Sequence, residues 1–272
     1  MSGQEAAATA ATGSLVAEWE RWRRERDAEL AEPHGFLSIT GLHWLTAEPQ
    51  RFDDAPGAWS NGDHGVVVVL RDDEDLVVDG VPVHGEYRFG QVSVRGVVAA
   101  WDDALIEVAD RGGHAIVRPH HPDNPLRVSY VGTPTYPPDA RWVVVARYLP
   151  FDRPRRITVN TVVDGLTHVL DAPGEVAFEL AGHQLRLTVF GDRDGSLGAL
   201  FRDATSGTTT YAAGRELFIG QLSPDGAVIV DFNRATNPPC AYIDLATCAL
   251  PPPENQLPVS IEAGEKTPHQ HT

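Results

Sequence analysis

Two cysteines stand close together in a proline-rich stretch near the C-terminus. The stretch is DFNRATNPPCAYIDLATCALPPPEN, residues 231–255, and it contains Cys240, Cys248, five prolines and three asparagines. Paired thiols can form a disulfide, hold a metal ion or act as nucleophiles. The spacing matches no zinc-finger or thioredoxin motif, no second cysteine pair is present, and no histidine lies nearby in sequence. Burial of both cysteines as small hydrophobic residues is an equally good interpretation of the pattern.

Polar residues before and within this stretch are candidates for a binding pocket. In GAVIVDFN the alternation of a β-strand places Asp231 opposite Val230 and Phe232, so its carboxylate is expected to face inward and to need a partner such as Arg215 or Arg127. Asp231 is the candidate general base and Arg215 the candidate anion clamp. The proposed ligand-binding side chains are Arg127, Tyr211, Arg215, Asn233 and Asn237. Ion pairs and amide caps that hold the loop are the structural alternative for the same residues.

Composition excludes several functional classes. The net charge of −16 and the pI of about 5.0 disfavour binding to nucleic acids or to anionic membrane surfaces. The single lysine, Lys266, lies near the C-terminus, which argues against Schiff-base chemistry. No G-x-S-x-G or phosphate-loop motif is present, and no metal site or cofactor is indicated. The sequence says nothing about the oligomeric state.

Secondary structure is predicted to be β almost throughout. Ser14 is expected to cap one amphipathic helix, with Leu15, Trp19, Trp22 and Leu30 on its apolar face. After it, short β-branched segments alternate with Gly, Asp and Pro turns, and Asp79-Gly80 is typical of a tight hairpin. We therefore predict an all-β antiparallel barrel, or two packed β subdomains, with the helix docked on the sheet.

The predicted organisation has five parts. They are a disordered tail (1–13), the helix (14–35), an N-terminal β subdomain (36–132), a C-terminal β subdomain with the proline-rich loop (133–266) and a second tail (267–272). No apolar run reaches the roughly 18 residues that span a bilayer, and no secretory signal is recognisable. A cytoplasmic location is the expectation.

The C-terminal segment resembles a known family. DATSGTTTYAAGREL and DGAVIVDFNRATNPPCAYIDLATCALPPPENQLPVSIEAGEK are similar to the C-terminal signature of the bacterial and archaeal "domain of unknown function 1684" family, and GFLSITGLHWL looks like its N-terminal signature. The resemblance extends from about Trp19 to Lys266. It departs at Thr236 and Ala249, where the family has tyrosine and proline. It implies a shared fold and a shared double-cysteine loop, and it implies no reaction.

Three functional hypotheses follow. The leading one is a small-molecule-binding β protein, an enzyme if Asp231 acts as a base on a small polar or anionic substrate. The second is a non-catalytic protein-interaction module, in which the polar cluster is structural. The third is a thiol or metal site at Cys240 and Cys248, which requires the two sulfurs to lie close together or one of them to lie beside a histidine. An exposed concave cluster favours the first hypothesis, and a buried, fully paired cluster favours the second.

Overall fold

In the described residues one long helix is followed by sixteen strands. The computed structural model describes residues 3–191, 196–220 and 222–268, with side chains from residue 13 onward. Helix α1 spans Gly3–Leu30, and the four-residue helix α2 spans Pro125–Val128. In this part of the chain no helix is long and apolar enough to cross a membrane. The C-terminal tail, 267–272, lies outside the described residues from position 269.

Helix α1 differs from the predicted helix at both ends. Residues 3–13, predicted as a disordered tail, continue the helix, because alanine has the most favourable helix propensity and this segment is alanine-rich. Ser14 is therefore an interior residue and not the cap, and its hydroxyl donates to Glu18 at 2.9 Å. The helix ends at Leu30, before Pro33.

Two compact units divide the described residues. The two-sheet unit comprises residues 28–131 and 243–247, and the barrel unit comprises residues 1–27, 132–242 and 248–272. The first boundary falls between Val131 and Gly132. Both units are discontinuous in sequence.

All strand pairs within the sheets of the two-sheet unit are antiparallel. Its strands are β1 (His43–Trp44), β2 (Gln50–Phe52), β3 (Ala55–Gly62), β4 (Gly65–Val69), β5 (Leu76–Val78), β6 (Val81–Val83), β7 (Glu86–Gly90), β8 (Val97–Trp101), β9 (Ala104–Arg111) and β10 (His114–His120). One sheet has the order β1-β10-β9-β8-β5-β6 and the other β2-β3-β4-β7. The predicted hairpin joins β5 to β6, and Asp79 and Gly80 both have positive φ, 51° and 77°, as its tight turn requires.

The barrel unit contains the remaining strands. They are β11 (Val143–Asn160), β12 (Thr167–Leu180), β13 (His183–Gly191), β14 (Leu197–Phe201), β15 (Arg215–Gly220) and β16 (Ala227–Asp231). Their order is β15-β14-β13-β12-β11-β16, and β15 also lies next to β16, which nearly closes the barrel. Alternate residues such as Val189, Ala199 and Leu217 are buried in its core. The predicted all-β antiparallel fold is confirmed.

Helix α1 docks on the barrel unit through polar as well as apolar side chains. The indole of Trp19 donates to the carbonyl of Asn233 at 3.1 Å. Arg23 and Arg26, which the helical pattern assigns to the solvent face, turn instead toward the barrel. A buried acidic partner explains this difference.

Candidate functional site

A buried carboxylate, Glu265, is the centre of the polar cluster that links α1 to the C-terminal loop. It is fully buried, and Arg23 donates to it at 3.1 Å while the Arg26 guanidinium lies 3.6 Å away. The Tyr242 hydroxyl and the backbone N–H of Asn237 donate to its other oxygen, at 3.0 and 2.6 Å. The buried Glu265 carboxylate thus has both positively charged partners and hydrogen-bond donors, as a buried carboxylate requires.

Arg215, the predicted anion clamp, lies inside the barrel unit and is only 1 % exposed. Its guanidinium donates to the carbonyls of Ala263 and Ile261 and lies 3.4 Å from the Asp203 carboxylate. Burial lowers its pKa, although Asp203 opposes that shift. The side chain joins the chain's last described segment to the barrel core.

The partner predicted for Asp231 is wrong. Neither Arg215 nor Arg127 contacts it; Asp231 accepts from the backbone N–H and the side-chain amide of Asn233, at 3.0 and 2.9 Å, and lies 3.3 Å from the Arg234 guanidinium. Asp231 is followed directly by a 3₁₀ helix, Phe232–Arg234, whose first turn it caps, and a cap is satisfied locally.

Both asparagines of the predicted pocket are buried. The amide of Asn233 exchanges two hydrogen bonds of 3.0 Å with the backbone of Asp139. The amide of Asn237 donates to the carbonyl of Lys266 at 2.8 Å. Asn233 is fully paired within the barrel unit, as expected of a structural residue, whereas the side-chain oxygen of Asn237 is buried without a hydrogen-bond partner in the described part of the chain.

The remaining predicted ligand-binding residues lie in different units. Arg127 belongs to the two-sheet unit, where its guanidinium donates to the carbonyls of Ala31, Glu32 and Pro122. Tyr211 belongs to the barrel unit, and its hydroxyl donates to the carbonyl of Cys240 at 2.7 Å.

The two thiols lie together in the barrel unit. Both cysteines are free, Cys240 is buried and Cys248 is half-buried. The backbone N–H of Cys240 donates to the Cys248 sulfur at 3.3 Å, and the two thiols are close enough to influence each other's pKa. The proximity that the third hypothesis requires is present. Among the described residues, no group of three or more Cys, His, Asp or Glu side chains is placed to hold a metal ion.

A groove of about 340 Å³ crosses the outer face of β13, β14 and β15. Its middle is Gly198, which is paired on one side with Phe190 and on the other with Phe218. Directly paired residues point to the same face of a sheet, so the missing side chain at position 198 leaves a slot between two aromatic rings. The other lining residues are Leu170, Gly191, Ser196, Leu197, Ala199, Leu200, Glu216, Leu217 and Thr236.

Glu216 supplies the carboxylate of the groove. It precedes Phe218 by two residues on β15 and therefore lies on the same outer face, and its backbone is paired with Thr236. Burial raises its pKa, with the Arg26 charge opposing the shift and the Glu265 charge adding to it. A carboxyl group with a raised pKa in a groove wall is a common property of binding sites.

The histidine pair of RPHHPDNP lies in the two-sheet unit and its rings go to separate partners. His121 hydrogen-bonds to the carbonyl of Asp54 at 2.9 Å, whereas His120 lies 3.6 Å from the Glu107 carboxylate. Burial opposes ionisation of Glu107, but the His120 hydrogen bond and the charges of Arg118 and Arg111 outweigh it and lower the pKa to about 2.

Sequence reasoning missed the groove. The segments LGALF and RELFIG predict strands, but a period of two does not tell which face is open. The alternation in RELFIG places Glu216 and Phe218 on one face of the strand, but only the structure shows that Phe218, a large apolar residue, is 70 % exposed. Its pairing with Gly198 depends on register, which the sequence does not give.

Comparison with known proteins identifies the family. The sequence profile described as "Protein of unknown function (DUF1684)" matches residues 128–266. The chain belongs to this family. The DUF1684 match includes the groove, both thiols and Glu265, and it is shorter than the resemblance expected from Trp19 onward. An uncharacterised protein of Haloarcula marismortui, solved by NMR, is 31 % identical over 52 % of this chain and 79 % of its own, with a TM-score of 0.44. No curated protein matches the chain.

Proposed function

We propose that the barrel unit binds a small molecule with a flat, mainly apolar body in the groove on β13–β15. The observation that supports this proposal is Gly198, flanked in register by Phe190 and Phe218. Strands in a sheet are about 4.8 Å apart, so the two aromatic residues stand roughly 10 Å apart across the glycine. An aromatic or conjugated ring fits such a slot and contacts both phenylalanine side chains.

Glu216 gives the ligand a polar end. Its carboxyl lies in the groove wall, and burial raises its pKa, so a ligand group that donates a hydrogen bond or carries a positive charge would relieve the cost of burying it. This chemistry differs from the small anionic ligand that the arginine-rich set of residues suggests. Asp231 as a general base and Arg215 as an anion clamp stay predictions.

A fluorescence titration with Nile red, a neutral planar dye, tests the proposal. Gly198→Val fills the slot, and its Cβ approaches the Leu217 carbonyl at 3.3 Å, a contact that a shift of a few tenths of an ångström relieves. We expect both variants to weaken dye binding about tenfold or more: Gly198→Val because its side chain occupies the slot, and Phe218→Ala because it removes about 1 to 2 kcal/mol of apolar contact.

Ile229→Ala is the matched control, because Ile229 is an apolar side chain, 52 % exposed, on β16 outside the groove. Equal binding by all variants contradicts the proposal. Loss of binding only in Ile229→Ala would place the dye on the β16 face and would also contradict the proposal. Asp231→Asn, measured in the same series, removes any ligand-binding role of Asp231 if its affinity equals that of the wild type.

A further inference from the structure

Backbone hydrogen bonds hold Cys240 and Cys248 next to each other. Cys240 lies in the 3₁₀ helix Pro239–Ala241, and the Tyr211 hydroxyl donates to its carbonyl at 2.7 Å. Cys248 is fixed on the other side, where its carbonyl accepts from the N–H of Val162 at 3.0 Å. Because both backbones are anchored independently, the meeting of the two sulfurs does not depend on side-chain rotation alone.

The two sulfurs differ in acidity and in exposure. The hydrogen bond from the Cys248 thiol, followed by the Tyr211 hydroxyl, lowers the pKa of Cys240 even though burial opposes this. The same contact, together with burial, raises the pKa of Cys248. Cys240 therefore carries the more acidic of the two thiols, and Cys248 is the more exposed residue.

We propose that Cys240 and Cys248 are a redox-active pair, which hydroperoxides oxidise to an intramolecular disulfide and small dithiols reduce again. This inference rests on the contact between the sulfurs and is independent of the groove. A third ligand group is missing among the described residues, so the arrangement fits thiol exchange better than metal binding.

The oxidation balances in two steps. The Cys240 thiolate attacks one oxygen of hydrogen peroxide, forms a sulfenic acid and releases hydroxide, which is protonated to water. The Cys248 thiol then gives up its proton and attacks the Cys240 sulfur, and the sulfenic hydroxyl leaves as a second water. Two thiols and one peroxide thus give one disulfide and two waters. Peroxide is small enough to reach a sulfur in a residue that is 5 % exposed.

Reduction of the disulfide is expected to begin with attack on the Cys248 sulfur. A dithiol attacks Cys248, the more exposed of the two, and expels the Cys240 thiolate, which is the better leaving group because its pKa is lowered. The second thiol of the reductant then resolves the mixed disulfide, leaving both cysteines reduced and the reductant oxidised.

The test is intact-mass spectrometry of the full chain, reduced, freed of reductant and then treated with hydrogen peroxide. We expect a mass lower by two hydrogen atoms and no added oxygen, with the original mass restored by dithiothreitol. The Cys248→Ser variant is expected to stop at the sulfenic acid, which dimedone traps. The Cys240→Ser variant should react with peroxide at about one tenth of the wild-type rate or below, because the remaining Cys248 thiol is largely protonated.

Tyr211→Phe tests the positioning role of the hydroxyl. The pH profile of the oxidation rate should move to higher pH, whereas a merely structural role would leave the profile in place. The proposal is overturned if the wild type keeps its reduced mass under peroxide that oxidises an unstructured cysteine peptide. It is also overturned if the wild type only gains oxygens, or forms intermolecular disulfides alone.

Discussion

At the scale of single residues, Glu265 is a buried carboxylate that two arginines and two hydrogen-bond donors contact. It is fully buried, and it compensates two arginines of helix α1 while accepting from Tyr242 and Asn237. Removing one member of a buried ion pair destabilises a protein by more than the intact pair stabilises it, because the remaining charge stays buried without its partner.

Glu265→Gln is therefore expected to lower the free energy of unfolding by about 3 kcal/mol, since Arg26 loses its carboxylate partner and Arg23 keeps only Asp27, at 2.8 Å. Urea unfolding followed by tryptophan fluorescence measures this. Glu25→Gln is the control, because the Arg21–Glu25 pair on the same helix is 4.0 Å long and exposed, and its loss should have no measurable effect. Equal effects of the two substitutions would contradict the buried-pair interpretation.

At the scale of elements, the 3₁₀ helix Pro253–Asn255 explains part of the proline-rich stretch. Asn255 is fully buried, and its amide accepts from the N–H of Thr188 at 2.7 Å and donates to the carbonyls of Thr188 and Leu200, both at 2.8 Å. One side chain thus satisfies backbone groups on β13 and β14 where these strands diverge. The prolines that precede Asn255 limit the conformations of the unfolded chain and favour the backbone conformation that places the Asn255 side chain between the two strands.

Asn255→Ala leaves these three backbone groups without partners, and we expect it to destabilise the protein by roughly 2–3 kcal/mol. Asn160→Ala, at an exposed position on β11, is the matched control and should change the unfolding midpoint little. Thermal unfolding of both variants makes the comparison. A small effect at position 255 would mean that water replaces the amide.

The element scale also shows how far sequence reasoning reaches. Alternating patterns and the Asp79-Gly80 turn predicted antiparallel strands correctly, because both signals are local. The direction of Arg23 was not predictable, because it depends on Glu265, which is distant in sequence. The partners of Asp231 are its sequence neighbours Asn233 and Arg234, and they were missed because the strand pattern was continued through residues that form a 3₁₀ helix. The slot at Gly198 depends on strand register, which a hydrophobic pattern gives only to within two residues.

At the scale of the whole molecule, one carboxyl group in each unit predicts an opposite dependence of stability on pH. In the two-sheet unit the folded state lowers the pKa of Glu107 from 4.5 to about 2, so its stabilisation is present above pH 4.5 and is lost as the pH falls toward 2. In the barrel unit burial raises the pKa of Glu216, so this group favours folding at low pH and opposes it as the pH rises.

Glu107→Gln should cost on the order of 3 kcal/mol at pH 7, and less as acid protonates the wild-type carboxyl. Calorimetry at a series of pH values is the measurement, and the difference in Tm between variant and wild type should shrink from pH 5 to pH 2. Glu86→Gln, in the exposed Glu86–Arg88 pair, is the control and should show no such trend. A difference independent of pH would mean that Glu107 acts through packing and not through its charge.

The position of the two thiols has a mechanical consequence. Cys240 and Cys248 belong to the barrel unit, whereas residues 243–247 between them belong to the two-sheet unit. In the reduced chain, tension applied to the two ends passes through this intervening segment. A disulfide transmits the tension through the two sulfur atoms instead, so the loop between the cysteines, roughly 20 Å of chain when extended, is not stretched. Oxidation would thus shield residues 243–247 from force, and the chemical state of two atoms would decide whether that segment can be pulled from its place.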